Sequence, residues 1–509
     1  MPDKTIATDL AKRLNGIALV SSDITDEDLR GIGLEPLTAY IVDFYGKEKR
    51  PGILDRTTLA KIIDDMRNES LPFQPEAVRA SGFSPTAKHF DADYRIRSIV
   101  PEKTTSAVDS FAAYFRNRLD RLRAMIQDGR NSRTFGMINN IASVERYVEG
   151  REICIAGIVN EKSATKNGHI LATIEDETGL AKILFVGKSQ KDNESALFTE
   201  ASKIMTDEVI AVRGKISGSG KVPFIIANSL IYPDIPIRNR KQIDKDVAIA
   251  FLSDIHVVSK LFLDKQFNRF VEWMNGNVDY RKDLVEKIKY ITIAGDLVDG
   301  IGVYPNQDRE LSIDDIYKQY TVLLDLLSEI PEYVHIFVMP GNHDGVQRAE
   351  PQPSLPASLI GERELRNVHL LSNPGYVTIE GLKVLAYHGT SLDSVIQAVP
   401  GCSYSKPETA MIEVLRRRHL SPIYGDNPIV PSRKDNMVID DVPDILHMGH
   451  LHKNGIADYH GTLIVNSGTW QARTAYQVKN GHIPTPAILP VYETKTMGIS
   501  HIDFNSMMV

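Results

Sequence analysis

Five short stretches place carboxylates, imidazoles and one amide at the ends of apolar runs, and these are the side chains that bind divalent cations through oxygen and nitrogen. They are Ser253-Asp254-Ile255-His256, Gly295-Asp296-Leu297-Val298-Asp299, Gly341-Asn342-His343-Asp344, Tyr387-His388-Gly389 and Gly449-His450-Leu451-His452. In a strand, residues i and i+2 point to the same side, so Asp254 and His256 can grip one cation from a strand end. The five stretches together supply Asp254, His256, Asp296, Asn342, His388, His450 and His452. That set suffices for two ions with positions left for water and substrate. Two cations about 3.5–4 Å apart give phosphodiester hydrolysis its nucleophile at neutral pH and its positive charge on the phosphoryl oxygens. The mixed nitrogen and oxygen donors suit manganese, iron or zinc better than magnesium alone. One Asp-x-His or Gly-His-x-His arises often by chance. Five in order, each beside a strand-like run, are poorly explained as core histidines and turn glycines. His335, His369, His419 and His447 lack this context and read as structural.

Strands must deliver these stretches to one place. Apolar runs at 247–252, 290–294, 334–339, 382–387, 445–448 and 463–466 predict short strands, and 261–274 and 313–330 predict helices. Residues 241–509 therefore predict an α/β layered domain with functional loops at strand ends. Its tail from His482 reads as a strand-bearing extension. Before it, residues 138–240 carry alternating apolar positions (Ile153, Ile155, Val159; Ile170, Ala172, Ile174), further strands at 183–186, 209–212 and 224–226, and turns at Asn167-Gly168 and Glu175–Gly179. Five short strands predict a small β-barrel of the OB-fold type, which either binds single-stranded nucleic acid or serves as a protein-binding spacer. Its strand aromatics are chiefly Phe185 and Phe224, a weak stacking signal. The glycine-rich run at 214–221 lacks the spacing and the Ser/Thr of a phosphate loop and predicts a hairpin tip.

Residues 71–137 combine a linker, marked by Pro72, Pro75, Pro85 and Pro101, with a helix. Phe111, Phe115, Leu119 and Leu122 make its apolar stripe. Arg116, Arg118, Arg121 and Arg123 make a basic face, either solvated or in contact with nucleic acid. Residues 1–70 predict a small helical module, from Ile6, Leu10, Leu14 and Ile17 and from Leu59, Ile62, Ile63 and Met66. It is a packing module or a partner adaptor. The net charge of -7 excludes a broad basic coat, so nucleic-acid contacts must be local. Two cysteines, Cys154 and Cys402, exclude a disulfide framework or a thiolate zinc site. No apolar run approaches the ~18 residues of a membrane span, and the acidic N-terminus is unlike a signal peptide. A cytoplasmic location is expected.

The motif order over 245–475 resembles the calcineurin-like metallophosphoesterase superfamily. That resemblance implies a layered sandwich. Asp254, His256, Asp296 and His452 would hold one metal, and Asp296, Asn342, His388 and His450 the other, with Asp296 bridging. His343 would be the catalytic acid, and Asp299 would orient its imidazole. The flanking residues narrow the likeness. G-V-Q-R-A-E-P-Q-P at 345–353, R-R-R-H-L-S-P-I-Y-G at 416–425, V-P-D-I-L-H-M-G-H-L-H at 442–452 and N-S-G-T-W-Q at 466–471, with the barrel and the basic helix, resemble the small subunits of archaeal family-D DNA polymerases over about 105–490. This family implies a 3′–5′ proofreading exonuclease with a metal-activated hydroxide as nucleophile, partnered by a large polymerase subunit. Its substrate would be DNA with single-stranded or frayed 3′ ends. Arg348 and the Arg416–Arg418 cluster are expected phosphate contacts, or else an exposed basic helix or an interface. Eukaryotic B-subunits of this architecture have lost metal ligands, whereas every ligand position is filled here. Two rivals remain: a catalytically idle structural subunit and a stand-alone metallophosphoesterase.

Overall fold

The computed structural model describes residues 83–99, 107–128, 136–187, 196–218, 222–361 and 366–508, with shorter stretches between 6 and 63. Ile17, Met66, Pro72, Pro75, Pro101 and the hairpin tip at 219–221 lie outside the described residues. The chain divides into two compact units, Met1–Arg79 and Ala80–Val509. In the first, the Ile6–Arg13 helix and two parallel strands, β1 (Ala18–Val20) and β2 (Gly52–Leu54), enclose Leu10, Leu14, Leu59 and Ile62. Helical spacing of those leucines and isoleucines puts them on one face, which the small core buries.

The second unit contains a closed barrel of β4 (Glu152–Ala164), β5 (Ile170–Asp176), β6 (Gly179–Phe185), β7 (Val209–Ile216) and β8 (Phe224–Ile231), in the order β4-β5-β6-β8-β7. β6 and β8 pair in parallel and β4 closes on β7. Ile153, Ile155, Val159, Ile174, Ile183 and Phe185 fill its interior. Phe185 is fully buried and presents no face for stacking. β4 buries its outer face as well, because Cys154, Ala156 and Ile158 pack on Leu119, Leu122 and Ile126 of the Ala107–Asp128 helix.

Two six-stranded sheets make up the rest. In the first, β9 (Ala248–Leu252), β10 (Ile288–Ala294), β11 (His335–Met339) and β12 (Val368–Leu370) run parallel. β18 (Ile488–Glu493) and β19 (Ile499–Asp503) add antiparallel beyond β9, giving the order β12-β11-β10-β9-β18-β19. The second contains β3 (Tyr94–Arg97), β13 (Gly375–Ile379), β14 (Leu382–Ala386), β15 (Ile445–Met448), β16 (Gly455–Tyr459) and β17 (Thr462–Asn466), ordered β16-β17-β15-β14-β13-β3. Ile249, Phe251, Phe337, Val384, Ile445 and Val465 meet between the sheets. The alternate residues of β9, Ala248, Ala250 and Leu252, instead pack on Phe267, Phe270 and Tyr320 from the Asp264–Met274 and Ile316–Ser328 helices. Burial of both faces is why β9 is apolar throughout. On the second sheet, Leu385, Leu446 and Met448 pack on Leu392, Val395, Met411 and Val414 of the Leu392–Ala398 and Pro407–Arg417 helices.

Three sequence expectations change. Part of the expected linker is β3, an edge strand whose residues are mostly exposed and so lack apolar alternation. The basic face of the Ala107–Asp128 helix is largely consumed internally. Buried Arg118 donates to Asp435 at 2.7 Å and to the carbonyls of Asp207 and Pro422 at 2.9 Å. Arg121 reaches Asp440 and Arg123 reaches Asn140, which leaves Arg116 exposed. The Arg416–Arg418 cluster is also internal. Arg417 is buried between Glu208 and Glu413, Arg416 pairs with Glu200, and Arg418 donates to the carbonyls of Ile439 and Asp440. Arg416 and Arg417 thus join the barrel to the layered body, and Arg418 braces the layered body itself, rather than facing a phosphate backbone.

Candidate metal centre

Loops following β9, β10, β11, β14 and β15 bring all seven expected ligands together. β9 stops at Leu252, so strand alternation is not what joins Asp254 to His256. Both residues, with Asp296, His450 and His452, adopt left-handed backbone angles (φ 51°, 49°, 51°, 68° and 54°). Each costs a non-glycine residue roughly 1–2 kcal/mol. Cross-strand bonds hold the turns: the Asp254 N–H donates to the Gly295 carbonyl (2.9 Å) and the His256 N–H to the Asp296 carbonyl (3.1 Å). Gly341 is obligatory, because a Cβ there would lie 2.2 Å from Asp296 Oδ1. Gly295 has φ +85°, and a Cβ would meet His388 Nδ1 at 2.5 Å. Buried Asp344 pins two of the turns, accepting from the N–H groups of Gly341 (2.8 Å) and Leu297 (3.2 Å) and from the Tyr320 hydroxyl (2.8 Å).

The donor atoms form overlapping groups within 4.8 Å: Asp254, His256 and His452; Asp254, Asp296 and His388; and His256, Asp296 and His343. The tautomers test whether cations fit. His256 Nδ1 faces Asp299 Oδ1 at 3.1 Å, His388 Nδ1 donates to the Ala294 carbonyl at 2.8 Å, and His450 Nε2 faces Asp393 Oδ2 at 2.9 Å. Each commits one ring proton outward and leaves the other nitrogen's lone pair facing inward. His388 Nε2 then lies 3.2 Å from Asp296 Oδ2 and 2.9 Å from Asn342 Oδ1, and His450 Nδ1 lies 3.1 Å from the same amide oxygen. Acceptors facing acceptors at these distances require positive charge between them. The same demand appears in His388, which burial would push down but Asp296 and Asp254 push up to about 10. Burial would raise Asp296, yet His388 and His343 hold it well below the usual carboxylate range. The residues therefore fit divalent cations. His452 is set differently. Gln477 Oε1 accepts from the Thr474 N–H, so its Nε2 donates to His452 Nδ1 at 2.9 Å. Ion binding at His452 Nε2, which sits 3.4 Å from Asp254 Oδ1, requires the Gln477 amide to turn over.

His343 is adjacent but differently anchored. Its N–H donates to Asp296 Oδ1 (2.9 Å) and its Nδ1 to the Asp299 main-chain carbonyl (2.8 Å). Asp299 thus orients His343 through its backbone, while its carboxylate serves His256. Arg348 does not line the cleft. It is exposed and donates to the carbonyls of Gly302 and Val303 at 3.0 and 3.1 Å, bracing the loop after β10.

The site opens into a cleft of about 600 Å³. Asp296, Asp299, Glu310 and Asp393 line it, and no lysine or arginine does among the described residues. Sequence reasoning missed Asp393, Gln307, Gln471 and Gln477, which bond His450, Asp299, Asp299 and His452 respectively. They lie outside the five stretches, and only Asn466-Ser-Gly-Thr-Trp-Gln471 carried a sequence signal. His447 bonds Thr292 and Ser467 at 2.9 Å, and His335 stacks on His369.

The family of B subunits of DNA polymerases alpha and epsilon matches residues 249–455, a span holding every expected ligand. That span is thus similar to the class of polymerase B-type subunits. Over 390 residues the chain is 42% identical to the DNA polymerase II small subunit of Archaeoglobus fulgidus, covering 76% of this chain and 75% of that one. For the Methanocaldococcus jannaschii small subunit the identity is 39% over 401 residues (77% and 65%), and for that of Thermoplasma acidophilum 38% over 408 residues (79% and 79%). The chain belongs to the archaeal DNA polymerase II small-subunit family. Among solved structures, an archaeal phosphodiesterase aligns with 50% of this chain and 99% of its own at 14% identity and a TM-score of 0.27, too distant to assign a fold.

Proposed function

We propose that this chain is the 3′–5′ exonuclease of its polymerase, which works beside a large polymerase subunit and removes nucleotides from single-stranded or frayed DNA 3′ ends. One observation carries the reading: inward-facing imidazole lone pairs and carboxylates line a cleft that has no lysine or arginine among its described lining residues. A phosphodiester enters such a cleft only against bound cations.

Asp254, His256, Asp296 and His452 would hold one ion, and Asp296, Asn342, His388 and His450 the other. Manganese suits this donor set, as do iron and zinc. Bound there, such ions lower the pKa of water and neutralise phosphoryl oxygens. His343 then has one task. Its Nδ1 proton is fixed on the Asp299 carbonyl, so Nε2 is the atom that holds and delivers a proton to the departing 3′ oxygen. Nucleoside 5′-monophosphates leave. The paired sheets with helices on their outer faces support a calcineurin-like sandwich. The barrel order, with parallel pairing of its third and fifth strands, supports an OB-fold. We read residues 1–70, 71–137, 138–240 and 241–509 as the successive parts of a cytoplasmic protein. Among the described residues, no helix is long and apolar enough to cross a membrane.

The test is Mn²⁺-dependent shortening of a 3′-mismatched DNA by the chain alone and with its large subunit. His343→Ala is expected to lower the rate about 10²–10⁴-fold, the usual worth of a general acid, with Mn²⁺ affinity retained. A wild-type rate in that variant removes His343 from the mechanism. No shortening under either condition makes the chain a structural subunit.

A further inference from the structure

Beside the candidate ligand residues, the cleft is lined by several aromatic rings. Tyr304 follows β10 and sits with its ring 6.2 Å from that of His343. Tyr404 and His482 also line the cleft and stack with ring centroids 4.2 Å apart and planes 25° apart. Tyr476 meets His482 edge-on at 6.4 Å and is 70% exposed. All four line the cleft and come from three separate parts of the sequence. The phosphodiester chemistry uses none of these rings, and exposed aromatic surface is costly to leave in water.

We infer that Tyr304, Tyr404 and His482 form a stacking site for the unpaired 3′-terminal nucleobase, with Tyr476 as its outer rim. This rests on the phosphodiesterase reading above. A nucleobase is flat, uncharged and attached to the phosphate that the ions would hold, so rings lining the same cleft, with Tyr304 beside His343, suit it. A cleft of this volume lies in the ~300–1,000 Å³ range of pockets that enclose one small ligand. Aromatic rings contributed by separate segments suit a single flat base rather than one still paired to a template. Stacking reads no base identity, as removal of any mismatched nucleotide requires.

The experiment uses the full chain with Mn²⁺ and a single-stranded oligonucleotide ending in 2-aminopurine, its terminal linkage a phosphorothioate to slow cleavage. Stacking quenches 2-aminopurine fluorescence. The wild type is expected to quench it and to bind it about tenfold more tightly than the same oligonucleotide with an abasic 3′ end, consistent with the worth of one base–aromatic stack. Tyr404→Ala and His482→Ala are expected to reduce quenching and bring that ratio close to one, whereas Tyr404→Phe keeps both. Should Tyr404→Ala melt early, His482→Ala decides. Absence of quenching in the wild type, or quenching unchanged in both alanine variants, overturns the stacking site. The two readings separate. Quenching with no cleavage of the ordinary phosphodiester leaves the base site standing and removes the hydrolysis. Equal cleavage of base-bearing and abasic ends, without quenching, does the reverse.

Discussion

Replacing Asp299 by Asn separates two roles that proximity alone would merge. The Asp299 carboxylate accepts from His256 Nδ1 at 3.1 Å and from Gln471 and Gln307 Nε2 at 3.2 Å each, whereas its carbonyl accepts from His343. Asn keeps the carbonyl and the side-chain shape. It removes the charge that raises the basicity of His256, and its amide N–H₂ must face one of the two glutamine donors. Loss of such a partner behind a metal-binding imidazole costs typically 10–100-fold in metal affinity, about 1.4–2.8 kcal/mol. Asp299→Asn should therefore weaken Mn²⁺ binding by that factor in a calorimetric titration. The cleavage rate should recover at saturating Mn²⁺, because His343 keeps its main-chain anchor. Unaltered Mn²⁺ affinity with a rate that stays low at saturation would refute this reasoning and return the carboxylate to His343.

Two further outcomes follow from buried charge. Arg417→Met strands the buried Glu208 carboxylate and should cost about 3–5 kcal/mol, whereas Arg417→Met with Glu208→Gln should recover much of it; urea unfolding measures both, and a single-variant loss below about 1 kcal/mol refutes the structural role. His419 donates from Nε2 to Asp435 (2.8 Å) and accepts the Ser421 N–H at Nδ1 (3.1 Å), and burial with the Arg118 charge pushes it down to about 4. The unfolded chain then binds a proton between its ordinary pKa of about 6.5 and about 4 that the folded chain refuses, so stability is full above that window and falls through it as pH drops, by about 3 kcal/mol in all. Melting temperatures from pH 7 to 4 should fall less steeply in His419→Gln than in the wild type, and parallel slopes refute the assignment.

The grouping of the seven expected ligand residues was legible because metal chemistry restricts residue type and because each follows an apolar strand. Their backbone was less legible. Nothing in Asp254 or His256 announces a left-handed turn, which glycine normally marks. Asp393, Gln307 and Gln477 carry no pattern, since one or two hydrogen bonds to a distant residue leave no periodicity. The arginines misled most. Arg118 and Arg417 look like solvated charge in sequence, yet they are buried beside Asp435 and Glu208, partners that only the fold brings near. β3 was missed because an exposed four-residue edge strand has too few buried positions to alternate.

The position of β18 has a consequence for biosynthesis. Val491 lies opposite Ala250, and Trp470 reaches back to donate its N–H to the Asp254 carbonyl at 2.9 Å. A ribosome extrudes Asp254 and His256 long before it makes either neighbour. Until then β9 has an open edge, and the turn carrying Asp254 and His256 lacks one of the bonds that hold its left-handed conformation. The nascent polypeptide therefore cannot complete this cluster of side chains early. The complete arrangement waits for Trp470 and for the remote hairpin of β18 and β19, a delay built into the order of the chain.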